Sequence, residues 1–595
     1  MNHKTANHYY FVKDYVIIFL TEKYFYTKGP KMLFKYSIGK NLKHIDDAIK
    51  NLNDQKIVDR IWEKDYTVWS NDPAEISNRL GWLDSVDVTG KSFTEIKSFV
   101  EDVKEAGYTH ALLMGMGGSS LAPEVFRLTF GVKDGYLDLA VLDSTHPDVV
   151  MNYAKKFNPA KTLYIVSTKS GGTVETFSFM KFFYNYALHM LGKDEVGKHF
   201  AAITDPGSGL QKVAEELNFR KIFLNDPNIG GRFSALSLFG IVPAALVGID
   251  IEKILSNAKE ETLNCKKSGK EISENVAAKI GTIIGVLGKQ GIDKLTYIIS
   301  PEFSYIGAWI EQLIAESTGK SGKGILPVDL ESIELPEFYS NDRLFVYIKL
   351  KDDITYDKRV EKLRSSNFPF LELELEHKLE LGKQFFLWEF ATAIAGWILQ
   401  IQPFDQPNVE QAKVVARLMM KEYQEKGKLP ELQPVLQDKG ITVYGNVKAK
   451  SIDEVLNSFL SDCKGGKNYV SIQAYLAPNE KTTEALQKLR TSIQKKYKVA
   501  TTLGFGPRFL HSTGQLHKGD AGNGYFIQFT SSIEEDLPIP ENPGEEKTSI
   551  TFGILIKAQA LGDRQALIDN KRKVITIDLG KDILESIDKY FLPNN

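Results

Sequence analysis

Five short apolar runs, each closed by a polar loop, set the fold of this chain. Ala111–Met114 ends in Gly115-Met116-Gly117-Gly118-Ser119-Ser120, and Leu139–Leu142 ends in Asp143-Ser144. Leu163–Val166 ends in Ser167-Thr168-Lys169-Ser170-Gly171-Gly172-Thr173. Ala201–Thr204 ends in Asp205-Pro206-Gly207, and Lys221–Leu224 ends in Asn225-Asp226-Pro227. Runs this short, bounded by turn residues, preceded by a helical pattern over Ser92–Glu105 and mostly followed by further helices, read as buried strands joined by crossovers. The pattern predicts an α/β fold with a doubly wound parallel sheet. Ligands of such sheets bind beyond the carboxyl ends of the strands, where these loops sit.

The alternation starts again downstream. Leu295–Ile299, Leu344–Leu350 and Leu371–Leu375 read as strands, and Tyr305–Glu316 and Gln384–Gln400 as helices. Glu425–Lys439 has the composition of a linker. Beyond it, strands are expected near Tyr469–Ile472, Tyr525–Phe529, Ile550–Ile556 and Val574–Ile577, with an exposed acidic, Pro-rich loop over Glu534–Lys547. The expected organisation is an extension and helical lead-in over 1–60, a first α/β domain over 61–270, a second over 271–425 and a third over 436–595.

Composition removes several classes of function. A formal net charge of −2 over 595 residues lacks the basic face of a nucleic-acid binder. Two cysteines, Cys265 and Cys463, build no disulfide framework and fit a reducing cytoplasm. The apolar stretch Tyr15–Leu20 is too short to span a bilayer and lacks the cleavage site of a signal peptide, so no membrane partner is expected. Residues 1–31 receive no role. No Cys/His or carboxylate spacing suggests a metal, Gly-x-Ser-x-Gly is absent, and no cofactor is expected.

The loop Thr168–Thr173 gathers three hydroxyls, one ammonium and two glycine backbones before a helix, which suits a phosphate cradle. Taken alone it is equally a helix-capping turn. Gly115–Ser120 fails the dinucleotide fingerprint because Ser120 fills the last glycine position, although Asp143 at the next strand end keeps a weak nicotinamide reading open; otherwise it reads as tight packing or a second wall of the phosphate site. Gly90-Lys91-Ser92 and Gly319-Lys320-Ser321 fail as nucleotide loops. Gln312 and Glu316 share a helix face among apolar residues, which suits a partly buried base, but spacing alone favours an exposed helix end with a Glu near Lys320. Asn408 starts a helix that carries Lys413. Gly504–Gly519 holds His511 and His517 in a Gly-rich stretch.

Taken in order, Gly115–Glu124, Thr168–Thr176, Asn225–Ser237, Gln312–Lys320, Pro403–Lys413 and Gly504–Gly519 resemble the phosphoglucose isomerase family. The resemblance runs from about Ile61 to the C-terminus and is closest to the isomerase half of the bifunctional transaldolase–phosphoglucose isomerase proteins. It implies two sugar-isomerase (SIS) domains with the site between them, and interconversion of glucose 6-phosphate and fructose 6-phosphate in glycolysis and gluconeogenesis. It further implies that Gly118, Ser119, Thr168, Lys169, Ser170 and Thr173 bind the sugar phosphate and that Arg232 holds the enediolate. Gln312 and Gln406 would contact the sugar, Glu316 would be the base and Lys413 would assist ring opening. Transaldolase activity is not expected, for want of room upstream.

In the family a neighbouring subunit supplies a ring-opening histidine from between the base and the Phe-Asp-Gln motif. Here that interval holds only His377, at an expected strand end. His511 or His517 is therefore expected to replace it in cis, which leaves monomer and homodimer both open.

Overall fold

The protein is described by a computed structural model covering residues 23–24 and 33–592. The amino-terminal extension, with Tyr15–Leu20, lies outside the described residues except for Lys23–Tyr24. Three sheets organise the rest. The first contains β2 (His110–Gly115), β3 (Asp138–Leu142), β4 (Thr162–Ser167), β5 (Phe200–Thr204) and β6 (Lys221–Leu224) in the order β3-β2-β4-β5-β6, all parallel. The second holds β7 (Lys294–Ile299), β8 (Leu326–Val328), β9 (Arg343–Leu350) and β10 (Phe370–Leu375), ordered β10-β9-β7-β8. Strand β1 (Leu33–Ser37) extends it antiparallel to β10, with Lys23–Tyr24 paired antiparallel on its outer side, so part of the expected lead-in belongs to this sheet. The third holds β11 (Leu436–Asp438), β12 (Ile441–Gly445), β13 (Tyr469–Ala474), β14 (Ala500–Phe505), β15 (Gly524–Thr530) and β16 (Lys573–Asp578), ordered β11-β12-β16-β15-β13-β14.

The parallel cores of the three sheets repeat one topology. The first strand of each (β2, β7, β13) lies between the second and the third, and the fourth follows the third. That arrangement creates a switch point where neighbouring crossovers leave in opposite directions and a crevice opens.

Five helices bear on the site: α1 (Val174–Leu191), α2 (Ile306–Thr318), α3 (Leu381–Leu399), α4 (Val409–Lys426) and α5 (Gly514–Gly519). Helix α3 is buried nearly all round, as its lack of a polar face requires. It packs against α2, which is anchored by Trp309 and Phe385 with ring centroids 4.7 Å apart. This apolar contact fixes the base helix from behind.

Two expectations for the third domain need correction. Ile550–Ile556 is not one strand: Thr548–Thr551 pairs with Pro538–Pro540, and helix α6 (Phe552–Asp569) begins directly after. The Thr551 hydroxyl accepts from Ile554 N, and Asp536 Oδ1 accepts from Gly553 N at 2.7 Å, so two side chains cap the helix within the β-branched run. Nor is the acidic segment merely an exposed loop. Leu537 and Ile539 are buried in the core of the first domain, and Asn185 of α1 bonds Glu545 O and Gly544 N, each at 2.6 Å. The segment straps the third domain onto the first.

Candidate active site

Strand β4 ends in the Thr168–Thr173 loop, which α1 follows immediately. Gly171 has φ +65°, and a Cβ there would lie 2.4 Å from Leu210 N, so the loop needs glycine to turn against the neighbouring helix. The Thr168 and Thr173 hydroxyls are 3.1 Å apart. Ser170, Gly172 and Thr173 line one wall of a cavity of about 280 Å³. Lys413 of α4 and His511 of the third domain line it as well. Lys169 does not. Its ammonium pairs with Asp205 and donates to Pro227 O at 2.8 Å, which commits it to the loop's own scaffold.

A second cluster lies at the carboxyl end of α2. Arg232, buried in the turn after β6, donates Nη1 to Glu316 Oε2 at 3.1 Å and Nε to Ser317 Oγ at 2.9 Å. The same Nη1 reaches Gln406 Oε1 at 3.2 Å, while Nη2 reaches Pro403 O at 2.6 Å and Asp405 O at 3.0 Å. All three guanidinium nitrogens are therefore bonded, and the guanidinium fixes the orientation of Glu316. Glu316 is 5% exposed, and the adjacent guanidinium balances its buried charge.

The two clusters meet through glycine. A Cβ on Gly118 would lie 1.9 Å from Gly231 O, so the loop after β2 touches the arginine turn backbone to backbone. Ser119, next to it, accepts from Ser167 Oγ through its carbonyl at 3.0 Å. Gln312 Nε2 donates to His511 O at 2.8 Å, while its Oε1 is buried without a partner among the described residues. Base helix and histidine are thus tied directly.

The two candidate histidines occupy different places. His511 Nε2 lies 3.1 Å from Glu175 Oε1. That oxygen also accepts from Gln559 Nε2 at 2.7 Å, and Gln559 Oε1 in turn accepts from Thr145 Oγ1 at 2.8 Å. Burial pushes the Glu175 carboxyl up, but His511 and then Lys413 outweigh burial and hold it below its ordinary value. It therefore stays ionised and orients the imidazole. His517 lies in the interior of the third domain, against Phe526 and Tyr469, and does not line the cavity. Burial, reinforced by Lys518 and Arg572, pushes it well below its ordinary value and keeps it neutral. His377 is exposed after β10.

Sequence reasoning passes over Glu175, Gln559 and Lys320. Lys320 is buried and donates to Asp405 O at 2.6 Å and Oδ1 at 2.7 Å. Burial and the nearby Arg232 charge push it down to about 7. A signal for it exists in the chain: Lys320 closes the Gln312–Lys320 motif, one turn beyond the base. Among the described residues no His/Cys/Asp/Glu group could hold a metal ion, and no helix is long and apolar enough to cross a membrane.

Comparison with known proteins bears on both clusters. Residues 80–326, which hold the phosphate loop, Arg232, Gln312 and Glu316, match the phosphoglucose isomerase family. Over these residues the chain is similar to that family. The probable glucose-6-phosphate isomerase of Methanococcus maripaludis is 28% identical over 382 residues, 58% of this chain and 84% of the relative. The glucose-6-phosphate isomerase of Mycoplasmopsis pulmonis is 29% identical over 413 residues, 60% of this chain and 94% of the relative. Among solved structures, the Chlamydia trachomatis glucose-6-phosphate isomerase covers 66% of this chain and 89% of its own, with a TM-score of 0.55 at 16% identity. A Thermus thermophilus protein described as hypothetical reaches 0.56 at 22% identity, covering 65% and 99%. At these identities the structures support the phosphoglucose isomerase fold alone.

Proposed function

We propose that the protein is a glucose-6-phosphate isomerase acting in the cytoplasm, and that its site is completed within one chain by His511. The observation that carries the reading is the buried Arg232–Glu316 pair, joined through Gln312 to His511 and so to the cavity with the phosphate loop. A glucose 6-phosphate would place its phosphate on Ser170, Thr173 and the start of α1, where N–H groups and hydroxyls donate to an anion. Lys413 and His511, on the cavity wall, would open the ring, with one proton given to the ring oxygen and one taken from the anomeric hydroxyl. The unpartnered Gln312 Oε1 would accept from a sugar hydroxyl.

Isomerisation follows from the second cluster. Glu316 would take the C2 proton of the open aldose, leaving an enediolate, and return it at C1. This carboxylate serves both carbons because they are adjacent. Arg232 would meet the charge that develops on the enediolate oxygens through the field of its fixed guanidinium; its five N–H groups already donate to five protein acceptors, so a direct hydrogen bond to the enediolate would replace one of them, such as Gln406 Oε1.

The decisive measurement is fructose 6-phosphate conversion, without added metal, by the wild type and by Glu316→Gln. The expected loss of turnover is about 10²-fold or more with sugar phosphate still bound. A wild type that binds sugar phosphate and does not turn it over would be a sensor, and the isomerase reading would fall.

A further inference from the structure

Helix α5 reaches the site from the third domain, and its contacts fall at the ends of the two helices that carry the proposed chemistry. The approach is close. A Cβ on Gly319 would lie 2.3 Å from Leu516 Cα, and one on Gly519 would lie 2.3 Å from Gly319 O. Gly322 N donates to Gly519 O at 3.0 Å. At this junction sits Gln515, fully buried, with every hydrogen-bonding position of its amide in use. Its Oε1 accepts from Asn408 N at 2.9 Å and Val409 N at 3.2 Å, two backbone donors at the start of α4. Its Nε2 donates to Asn408 Oδ1 at 2.7 Å and to Gly319 O at 2.9 Å.

The first N–H groups of a helix have no partner within it, and one side chain that accepts from two of them fixes where the helix begins. Lys413 lies one turn into α4. Gly319 lies directly after α2, one turn beyond Glu316. A single amide therefore spans the end of one helix and the start of the other. We infer that Gln515 is a positioning residue, which sets the distance between Lys413 and Glu316 and so couples ring opening to proton transfer. An apolar side chain of the same volume would fill the space but leave the α4 donors and Gly319 O without their partner, at a cost to each buried group. Positioning errors of about 1 Å in an active site cost roughly 10²-fold in rate.

The inference rests on the isomerase reading and is tested with it. Turnover, KM, inhibition by inorganic phosphate and thermal unfolding are measured for the wild type, Gln515→Leu and Gln515→Glu. The Leu variant is expected to lose about tenfold or more in kcat, with phosphate inhibition changed less than about threefold, because the phosphate loop belongs to another domain. The Glu variant keeps acceptors for the α4 backbone and loses the donors to Gly319 O and Asn408 Oδ1. It is expected to lose about threefold or more with the fold intact, and it decides the matter should the Leu variant not fold. Lowered unfolding temperatures with wild-type kcat per folded molecule would make Gln515 a packing residue only and overturn the inference. An inactive wild type would overturn the isomerase reading, and this inference with it, whereas an active wild type beside fully active variants would overturn this inference alone.

Discussion

Glu311, one residue before Gln312, shows how a neighbour of the site responds to pH. Burial first, then the Asp329 charge, push its carboxyl up to about 8, while burial pushes Asp329 up to about 6. The folded protein thus keeps a proton on Glu311 that the unfolded chain releases above about 4.5. A raised carboxyl contributes its stability at low pH and loses it as pH rises toward the folded value. Glu311→Gln holds the neutral form at every pH. Its unfolding temperature should match the wild type near pH 5 and exceed it near pH 9; parallel curves for the two proteins would contradict the assignment. The placement of Gln312 and Glu316 was legible, since their spacing puts both on one face of a helix and both are buried on α2. Lys169 was not, because its carboxylate partner Asp205 lies 36 positions away, past a strand and a helix. Glu175 was hidden likewise: its partners come from positions 511 and 559, which no local pattern connects to it.

At the scale of elements, the strands legible in sequence were those that bury continuous apolar side chains. Strand β14 was missed because Ala500-Thr501-Thr502 carries no such run. Its Thr501 is buried with its N–H and hydroxyl donating to Glu331, at 2.8 and 2.9 Å, and its carbonyl accepting from Arg490. A polar strand stabilised by a distant carboxylate has no signature of its own. Strand β8, three residues with Pro327 in the middle, is equally silent. The meeting of loops at the site follows from strand ends brought side by side, and it can be tested there. Gly118→Ala would place a Cβ 1.9 Å from Gly231 O, against backbone that has no rotamer to yield. The arginine turn must then move. Turnover should fall about tenfold or more, and the clash should cost roughly 1–3 kcal/mol of stability. Unchanged kinetics would show that the turn tolerates the shift.

In the whole molecule, three repeats of one topology divide the proposed site among them. The first holds the phosphate loop and Arg232, the second Glu316, the third His511. The first two sheets were readable as a doubly wound pair, and the third as an α/β domain. That it repeats their strand order was not readable, since β14, the second strand of its parallel core, gave no signal. Completion in cis makes a prediction about mixtures. Coexpressed His511→Ala and Glu316→Gln chains should show no more activity than the two made separately, because neither can lend its intact residue to the other. Recovery of activity in the mixture would place the histidine across a subunit boundary. The site also has a timing. Glu175 and His511 are 336 positions apart, and domains fold in the order in which they leave the ribosome, at about 5–20 residues per second. With the role proposed for His511 carried by the third domain, a nascent chain can hold a folded phosphate loop for many seconds while it remains chemically silent, until that domain has followed it out and folded.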